Sequence, residues 1–325
     1  MYFSKLMNFK TFILFCLVSC IYAPALFSQG GFARKDDWKK YRQEAILSVG
    51  ASQFLGDLGG LNKVGTDFSP VDIEFVLTRP AASAAYRYKF AKNFGLHAGF
   101  NYLLVSGDDK LTQEQFRNNR NLNFKSNIFE LAVRAEYCFF TNQVGHRYNL
   151  KNTRKRRMST KANEFMIFVG VGGFYFNPKG RNPVTGRWEK LHRLHTEGQG
   201  LPGGPKQYRR ISLSIPIGIA WRCNLNRYWN IGLELSYRKT FTDYIDDVHG
   251  SYYPDRALQA STYGATSVLL ADPSLGHIPN ATANNGDGTG AQRGDKEKDA
   301  YMSIQITVGR YFPPKRKKSK LRSKF

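Results

Sequence analysis

Apolar and polar residues alternate along eight stretches of this chain, and a period of two puts successive side chains on opposite faces of a β-strand. The clearest stretch is Asn127 to Phe140. Phe129, Leu131, Val133, Ala135, Tyr137 and Phe139 share one face, and Glu130, Arg134 and Glu136 share the other. Asn230 to Arg238 repeats the scheme, with Ile231, Leu233, Leu235 and Tyr237 opposite Glu234, Ser236 and Arg238. Ile211 to Arg222 aligns Ile211, Leu213, Ile215, Ile217, Ile219 and Trp221. Tyr301 to Phe312 sets Met302, Ile304, Ile306 and Val308 against Ser303, Gln305 and Thr307. Weaker signals in Glu44 to Leu55, Ala81 to Phe90, Phe94 to Val105 and Glu164 to Phe176 bring the expected total to about eight strands.

Such alternation also fits a soluble sandwich with its apolar face inward. The connections decide between the two. With the first strand running outward, Gly56 to Thr78 is long, Ala91 to Asn93 very short and Ser106 to Phe124 long. Pro178 to Lys206 is long, Asn224 to Tyr228 short and Thr242 to Asp299 long. Only Thr141 to Asn163 breaks the order, being long where a short turn is expected. Short turns at one end and long loops at the other are the plan of outer-membrane barrels. The predicted fold is therefore all-β: a transmembrane antiparallel up-and-down β-barrel over residues 44–312, with long extracellular loops.

If the apolar face meets lipid, the opposite face carries Arg87, His97, Glu130, Arg134, Glu136, Arg222, Glu234 and Arg238. The interior of an eight-stranded barrel is just wide enough to be filled by side chains. Arg87, Glu130, Arg134, Glu136, Glu234 and Arg238 are thus expected to pair into a lumen charge network, which argues against a porin. A solvated sheet face is the bland alternative.

Residues 1–28 read as a secretion signal. Lys5 and Lys10 supply the positive region, Thr11 to Ala23 the apolar core, and Ser28 the small residue before the cleavage point. The apolar run is short for a membrane-spanning helix, and no later one is long enough. Leu17-Val18-Ser19-Cys20 also fits a lipoprotein box that would lipidate Cys20, although the apolar run continues past it. Loss of the signal leaves Cys138 and Cys223, too few for a disulfide framework and without zinc-site spacing, so both are expected free and half-buried. Aromatic content of 14%, with 18 Tyr and 24 Phe, suits strands and membrane interfaces. The expected location is the cell outer membrane.

The net charge is +23, and removal of Lys5 and Lys10 leaves +21. Arg147, Lys151, Arg154, Lys155, Arg156, Arg157 and Lys161 lie between Thr141 and Asn163 with no acid. The tail, 313–325, adds seven more cations with no acid, and the N-terminal segment, 29–43, a net +3. These three segments hold +17 of the +21, and the topology puts all of them on the periplasmic side. Such a rim attracts acidic surfaces, either anionic lipid headgroups or an acidic protein. Nucleic acid is not available there. A solvated tail without a partner is the plain alternative.

No catalytic or cofactor pattern emerges. Gly170-Val171-Gly172-Gly173 continues as Phe174-Tyr175-Phe176 and opens no helix, unlike a phosphate loop. His192 and His195 sit in a Gly- and Pro-rich loop and are expected at the surface. Asp243, Asp246 and Asp247 offer oxygens for a hard cation but lack an EF-hand layout, so loop capping is the expected role. The chain is expected not to be an enzyme.

Several stretches resemble a known family: SQFLGDLGG (Ser52 to Gly60), GVGGFYFNPKG (Gly170 to Gly180), TEGQGLPGG (Thr196 to Gly204), IPIGIAWR (Ile215 to Arg222) and ELSYRKTFTDYIDDVHGSYY (Glu234 to Tyr253). They are similar to the PorG-like outer-membrane proteins of Bacteroidetes, associated with type IX secretion and gliding machinery. The resemblance runs from about Glu44 to Phe312. It implies a small barrel that docks a periplasmic ring of PorK-like lipoprotein and PorN-like protein to the outer membrane. The partner-binding candidates Lys151, Arg154, Lys155, Arg156, Arg157 and Lys161, with the lysine-rich tail, fall outside the family pattern. A generic surface barrel acting through its extracellular loops is the second reading. An outer-membrane lipase or protease would need a Ser/His/Asp set at the outer rim, and none is evident.

Overall fold

The computed structural model describes residues 39, 41–58, 75–112, 114–142, 163–226, 228–282, 291–295 and 297–312. The predicted signal, Cys20, the segment holding Lys151 to Lys161 and the basic tail lie outside the described residues.

Every alternating stretch forms a strand: β1 (Gln43–Leu55), β2 (Arg79–Lys89), β3 (Phe94–Asp108), β4 (Asn123–Asn142), β5 (Asn163–Arg181), β7 (Ile211–Asn224), β8 (Trp229–Thr240) and β9 (Ala300–Tyr311), and a further short strand, β6 (Trp188–Lys190), forms where a loop is expected. All pairings are antiparallel. Each strand pairs with its neighbours in the chain, except that the three-residue β6 pairs only with the outer end of β5 and stands outside the ring. β1 pairs with β9 from Glu44↔Tyr311 to Leu55↔Ala300, so eight strands close into a barrel. Closure leaves no unpaired edge, which is what permits strands to cross lipid.

The outside of the barrel is apolar. Leu47, Val49, Leu131, Val171, Leu213 and Ile306 are each more than half exposed. A band of this kind is untenable on a soluble surface and is what a lipid-facing barrel requires. Aromatic rings flank it: Phe90, Phe94, Phe139, Phe165, Tyr228, Trp229 and Phe312 at the short-turn end, and Phe100, Phe129 and Phe241 toward the loop end. Together, closure, belt and girdles make this a transmembrane barrel of the outer-membrane type. The parity of the faces follows the sequence pattern. Val133, Leu233 and Ile304 are 46%, 40% and 47% exposed, whereas Arg134 and Glu234 are 6% and 7%.

Among the described strands, the pairing register shifts at one place. A register shift between Cys138 and Phe140 leaves both Phe139 and Phe140 facing outward, while Cys138 is buried. The bulge adds a second ring to the aromatic girdle where β4 nears its end.

The loop end departs more from the sequence expectation. Pro178 to Arg181, expected in a loop, continue β5, and Asn123 and Phe124 begin β4, so these two strands, with the outer end of β3 (Ser106 to Asp108) paired beside β4, project beyond the others. Their inward residues meet those of β1, β3 and β9 in an apolar layer of Phe54, Leu103, Val105, Phe124, Ile128, Phe174, Phe176 and Tyr301. Phe54 packs edge-on against Phe124 at 4.8 Å, and Phe174 against Tyr301 at 5.8 Å. The lumen is therefore filled in two storeys, charged below and apolar above, rather than by charge alone. Over the apolar storey the long loops fold into a cap that includes helices Gln115–Arg120, Arg256–Tyr263 and Ala265–Ala271.

Candidate functional site

The lower lumen holds Arg87, Lys89, Arg134, Arg222 and Arg238 against Glu44, Glu130, Glu136, Glu164 and Glu234, all buried. Arg87 binds Glu44 (2.8 Å) and, through Nε, Glu136 (2.6 Å). Lys89 binds Glu164 at 2.8 Å, and Arg222 reaches both Glu44 (3.3 Å) and Glu136 (3.7 Å). Arg134 grips Glu234 with both Nη atoms at 2.5 Å, donates to Nε2 of His97 at 3.1 Å and lies 4.1 Å over the Phe168 ring. One level higher, Glu130 accepts from Arg238 Nε (2.7 Å), Ser214 Oγ (2.6 Å), Asn101 Nδ2 (3.0 Å) and Tyr301 Oη (3.1 Å). Buried charges persist only when paired and hydrogen-bonded, and here each cation meets a carboxylate.

The structure thus brings together all six lumen residues singled out in the sequence. It makes Arg222, already placed on the inward face, a full member of the network, and adds Glu44, Lys89 and Glu164. Their signal was present but weak: each lies on the inward parity of its strand, close to a strand end where few alternations flank it. Small residues make the room. A Cβ on Gly309 would come within 2.1 Å of Glu44 Oε1 and 2.6 Å of the Asn230 amide.

The rims differ. At the short-turn end, β1 starts, β9 ends, and β4 pairs with β5 as far as Asn142↔Asn163. The flanks of the three basic segments therefore sit on this one rim. At the opposite end, the cap is held by buried polar groups from four loops. Arg120 pairs with Asp109 at 2.7 Å and donates to the carbonyls of Arg293 (2.5 Å) and Asp57 (2.8 Å). Arg293 in turn binds Glu197 (3.0 Å) and the carbonyl of Asp247 (2.6 Å). The Asp247 carboxylate accepts from Thr196 and Tyr208, both at 2.5 Å, and burial lifts it to about 6. The stretches Ser52 to Gly60, Thr196 to Gly204 and Glu234 to Tyr253 supply Asp57, Glu197 and Asp247 to this cap.

Of the loop residues weighed in the sequence, some take the expected place and others do not. His192 and His195 are not solvated surface groups: both are half-buried, with His192 Nε2 3.0 Å from the Tyr208 carbonyl and His195 stacked on Tyr263 at 4.1 Å. Asp246 does cap the chain, accepting from the Val248 amide at 3.0 Å. Asp247 does not cap; it is a buried acceptor within the cap. Asp243 binds His249. Gly170 to Gly173 lie inside β5. Cys138, buried, and Cys223, half-buried, form no disulfide. Around Asp243 stand Asp57, Asp246, Asp295 and Asp299. Burial, followed by the charge of Asp299, pushes Asp243 up to about 10; burial, followed by Asp295, pushes Asp57 to about 7. Asp246 and Asp299 are raised for the same reasons.

No protein-family model matches the chain, and no curated protein matches it. Solved structures similar to it include Ail, the attachment invasion locus protein of Yersinia pestis (10% identity, TM-score 0.33, covering 83% of this chain and 99% of that one). Neisserial surface protein A is similar at 6% identity and TM-score 0.34, over 83% and 97% of the two chains. The outer-membrane protein AlkL is similar at 9% identity and TM-score 0.30, over 90% and 100%. The likeness is one of fold and assigns no activity.

Proposed function

We propose that this outer-membrane barrel is a closed, non-catalytic anchor that docks the periplasmic ring of a type IX secretion and gliding machinery to the outer membrane. Its partners in this reading are a PorK-like lipoprotein and a PorN-like protein. The observation that carries it is the convergence at one rim: β1 begins there, β9 ends there, and β4 gives way to β5 there. The described lumen is filled by paired charges and an apolar layer, which turns this reading to the rims. The short-turn rim is the periplasmic one in such barrels, and segments carrying +17 of the charge adjoin it. The resemblance to PorG-like proteins supplies the identity of the partner.

Exposed charges at a rim act mainly on encounter rate and salt sensitivity. Neutralising Lys151, Arg154, Lys155, Arg156, Arg157 and Lys161 together is expected to weaken co-purification of ring subunits, most clearly as salt is raised. Secretion and gliding fall while the barrel still inserts. Unchanged recovery and unchanged secretion in that variant would overturn the role of the rim. A generic surface barrel acting through its outer loops is the second reading, and the ordered, polar-cored cap favours it.

A further inference from the structure

Asp57, Asp243 and Asp295 each place a carboxylate oxygen within 4.8 Å of the other two. Oxygens bound to one calcium ion lie about 2.3–2.6 Å from it, so two of them stand at most about 5 Å apart. The spacing is that of ligands around a common centre. Three carboxylates packed this closely in a protein interior repel one another unless something positive sits between them. Acidic clusters alone are common; what distinguishes this one is the state of its individual oxygens.

The carboxylates here have one oxygen pinned. Asp243 Oδ2 is held by His249, Asp57 Oδ2 by the Asp295 amide (3.0 Å), Asp246 Oδ1 by the Val248 amide (3.0 Å) and Asp299 Oδ2 by the Ile245 amide (2.8 Å). The second oxygens of Asp243 and Asp246 are buried with no hydrogen-bond partner, on side chains only 6% and 1% exposed. Asp246 faces Asp299, Asp57 and Asp243, the groups whose charge opposes its own most strongly. A buried acceptor without a donor costs about 1–3 kcal/mol, and more when it is charged. Among the described residues, Asp57, Asp246, Asp295 and Asp299 form no ion pair. The nearby Arg120 spends its guanidinium on Asp109 and two main-chain carbonyls.

We infer that the cap binds a calcium ion between Asp57, Asp243 and Asp295. All-oxygen donors carried on loops and an extracellular position suit calcium better than magnesium, which needs a near-ideal octahedron and keeps its waters. The ion would also have a structural consequence. Asp57 follows β1, Asp243 and Asp246 follow β8, and Asp295 precedes β9. One ion would staple the outer ends of three adjacent strands, including the β1–β9 pair that closes the barrel. This inference concerns the outer face and stands apart from the docking proposal.

Titration calorimetry tests it on the full chain refolded in detergent micelles and stripped with EDTA. Calcium chloride should bind saturably at one site per chain, with a Kd at or below about 1 mM. Asp57→Asn and Asp243→Asn should each weaken binding roughly tenfold or more. Asp255→Asn, at the exposed cap of helix Arg256–Tyr263, should leave it unchanged. Heat-modifiable gel migration shows whether each variant has folded. Where one has not, terbium luminescence on the wild type replaces it: emission excited through tyrosine should appear and be displaced by calcium. Absence of saturable calcium binding, terbium emission that calcium does not displace, or full affinity in a folded Asp57→Asn variant would each overturn the site.

Discussion

Arg134 of β4 and Glu234 of β8 grip each other across the lumen through two hydrogen bonds of 2.5 Å, although β5 and β7 separate their strands in the wall. The pair is a strut between opposite sides of the barrel. Removing one partner of a buried pair costs far more than replacing both, because the survivor keeps a desolvated charge. Glu234→Ala is expected to destabilise the barrel by about 3–5 kcal/mol. The double variant Arg134→Met, Glu234→Leu should recover most of that loss. Urea unfolding of the refolded barrel, followed by gel migration, measures both. Equal losses in the single and double variants would mean the pair is not coupled.

One position away in sequence, the physics reverses. Leu233 faces lipid, and an arginine near mid-membrane on that face costs about 2–4 kcal/mol. Leu233→Arg should therefore insert poorly, whereas Glu234→Gln, which keeps shape and a hydrogen-bonding head, should insert better. If Leu233→Arg folded as readily as Glu234→Gln, the register of β8 would be wrong.

Gly309 tests how tightly the lower lumen is packed. A methyl there would overlap the Glu44 carboxylate and the Asn230 amide. Overpacking of this kind costs about 1–3 kcal/mol. Gly309→Ala should lower the urea midpoint by a matching amount, with no change in the outward face. A midpoint equal to wild type would show that Glu44 can step aside.

The cap should fail separately from the barrel. Arg293 is 1% exposed and joins Glu197, Asp247 and the Ala271 carbonyl. Arg293→Ala leaves Glu197 buried without its cation. Limited proteolysis of the membrane-embedded variant should then cut within residues 182–210 and 241–282 at protease levels that spare the wild type. The barrel should still migrate in its heat-modifiable form. Loss of that form as well would mean that cap and barrel are one cooperative unit.

The parts of the fold that repeat with a period were legible in the sequence, and the parts held by scattered polar contacts were not. Alternation named the strands, and the alternation of long and short connections told lipid-facing from soluble. Parity picked out Arg87, Glu130, Arg134, Glu136, Glu234 and Arg238 because each sits among clear apolar partners. Glu44, Lys89 and Glu164 obey the same parity, but at strand ends the pattern has too few turns to show it. The apolar storey was hidden because Phe174 and Phe176 read as strand residues of either face until β5 is known to project above the membrane belt. The cap depends on contacts such as Arg120 with Arg293 and Asp57 with Asp295, which join residues far apart in the chain and leave no local signature. Phe140 turns outward only because a bulge breaks the period that β4 otherwise keeps.

The most direct test of the anchoring role is affinity purification of the wild-type protein from detergent-solubilised outer membranes at low salt. Bound proteins would be identified by mass spectrometry, and the purification repeated at raised salt. The docking account expects periplasmic ring subunits to co-purify at low salt and to diminish as salt screens the basic rim. Recovery of no periplasmic partner at low salt would contradict it, and the capped outer loops would then be the part of the molecule that acts.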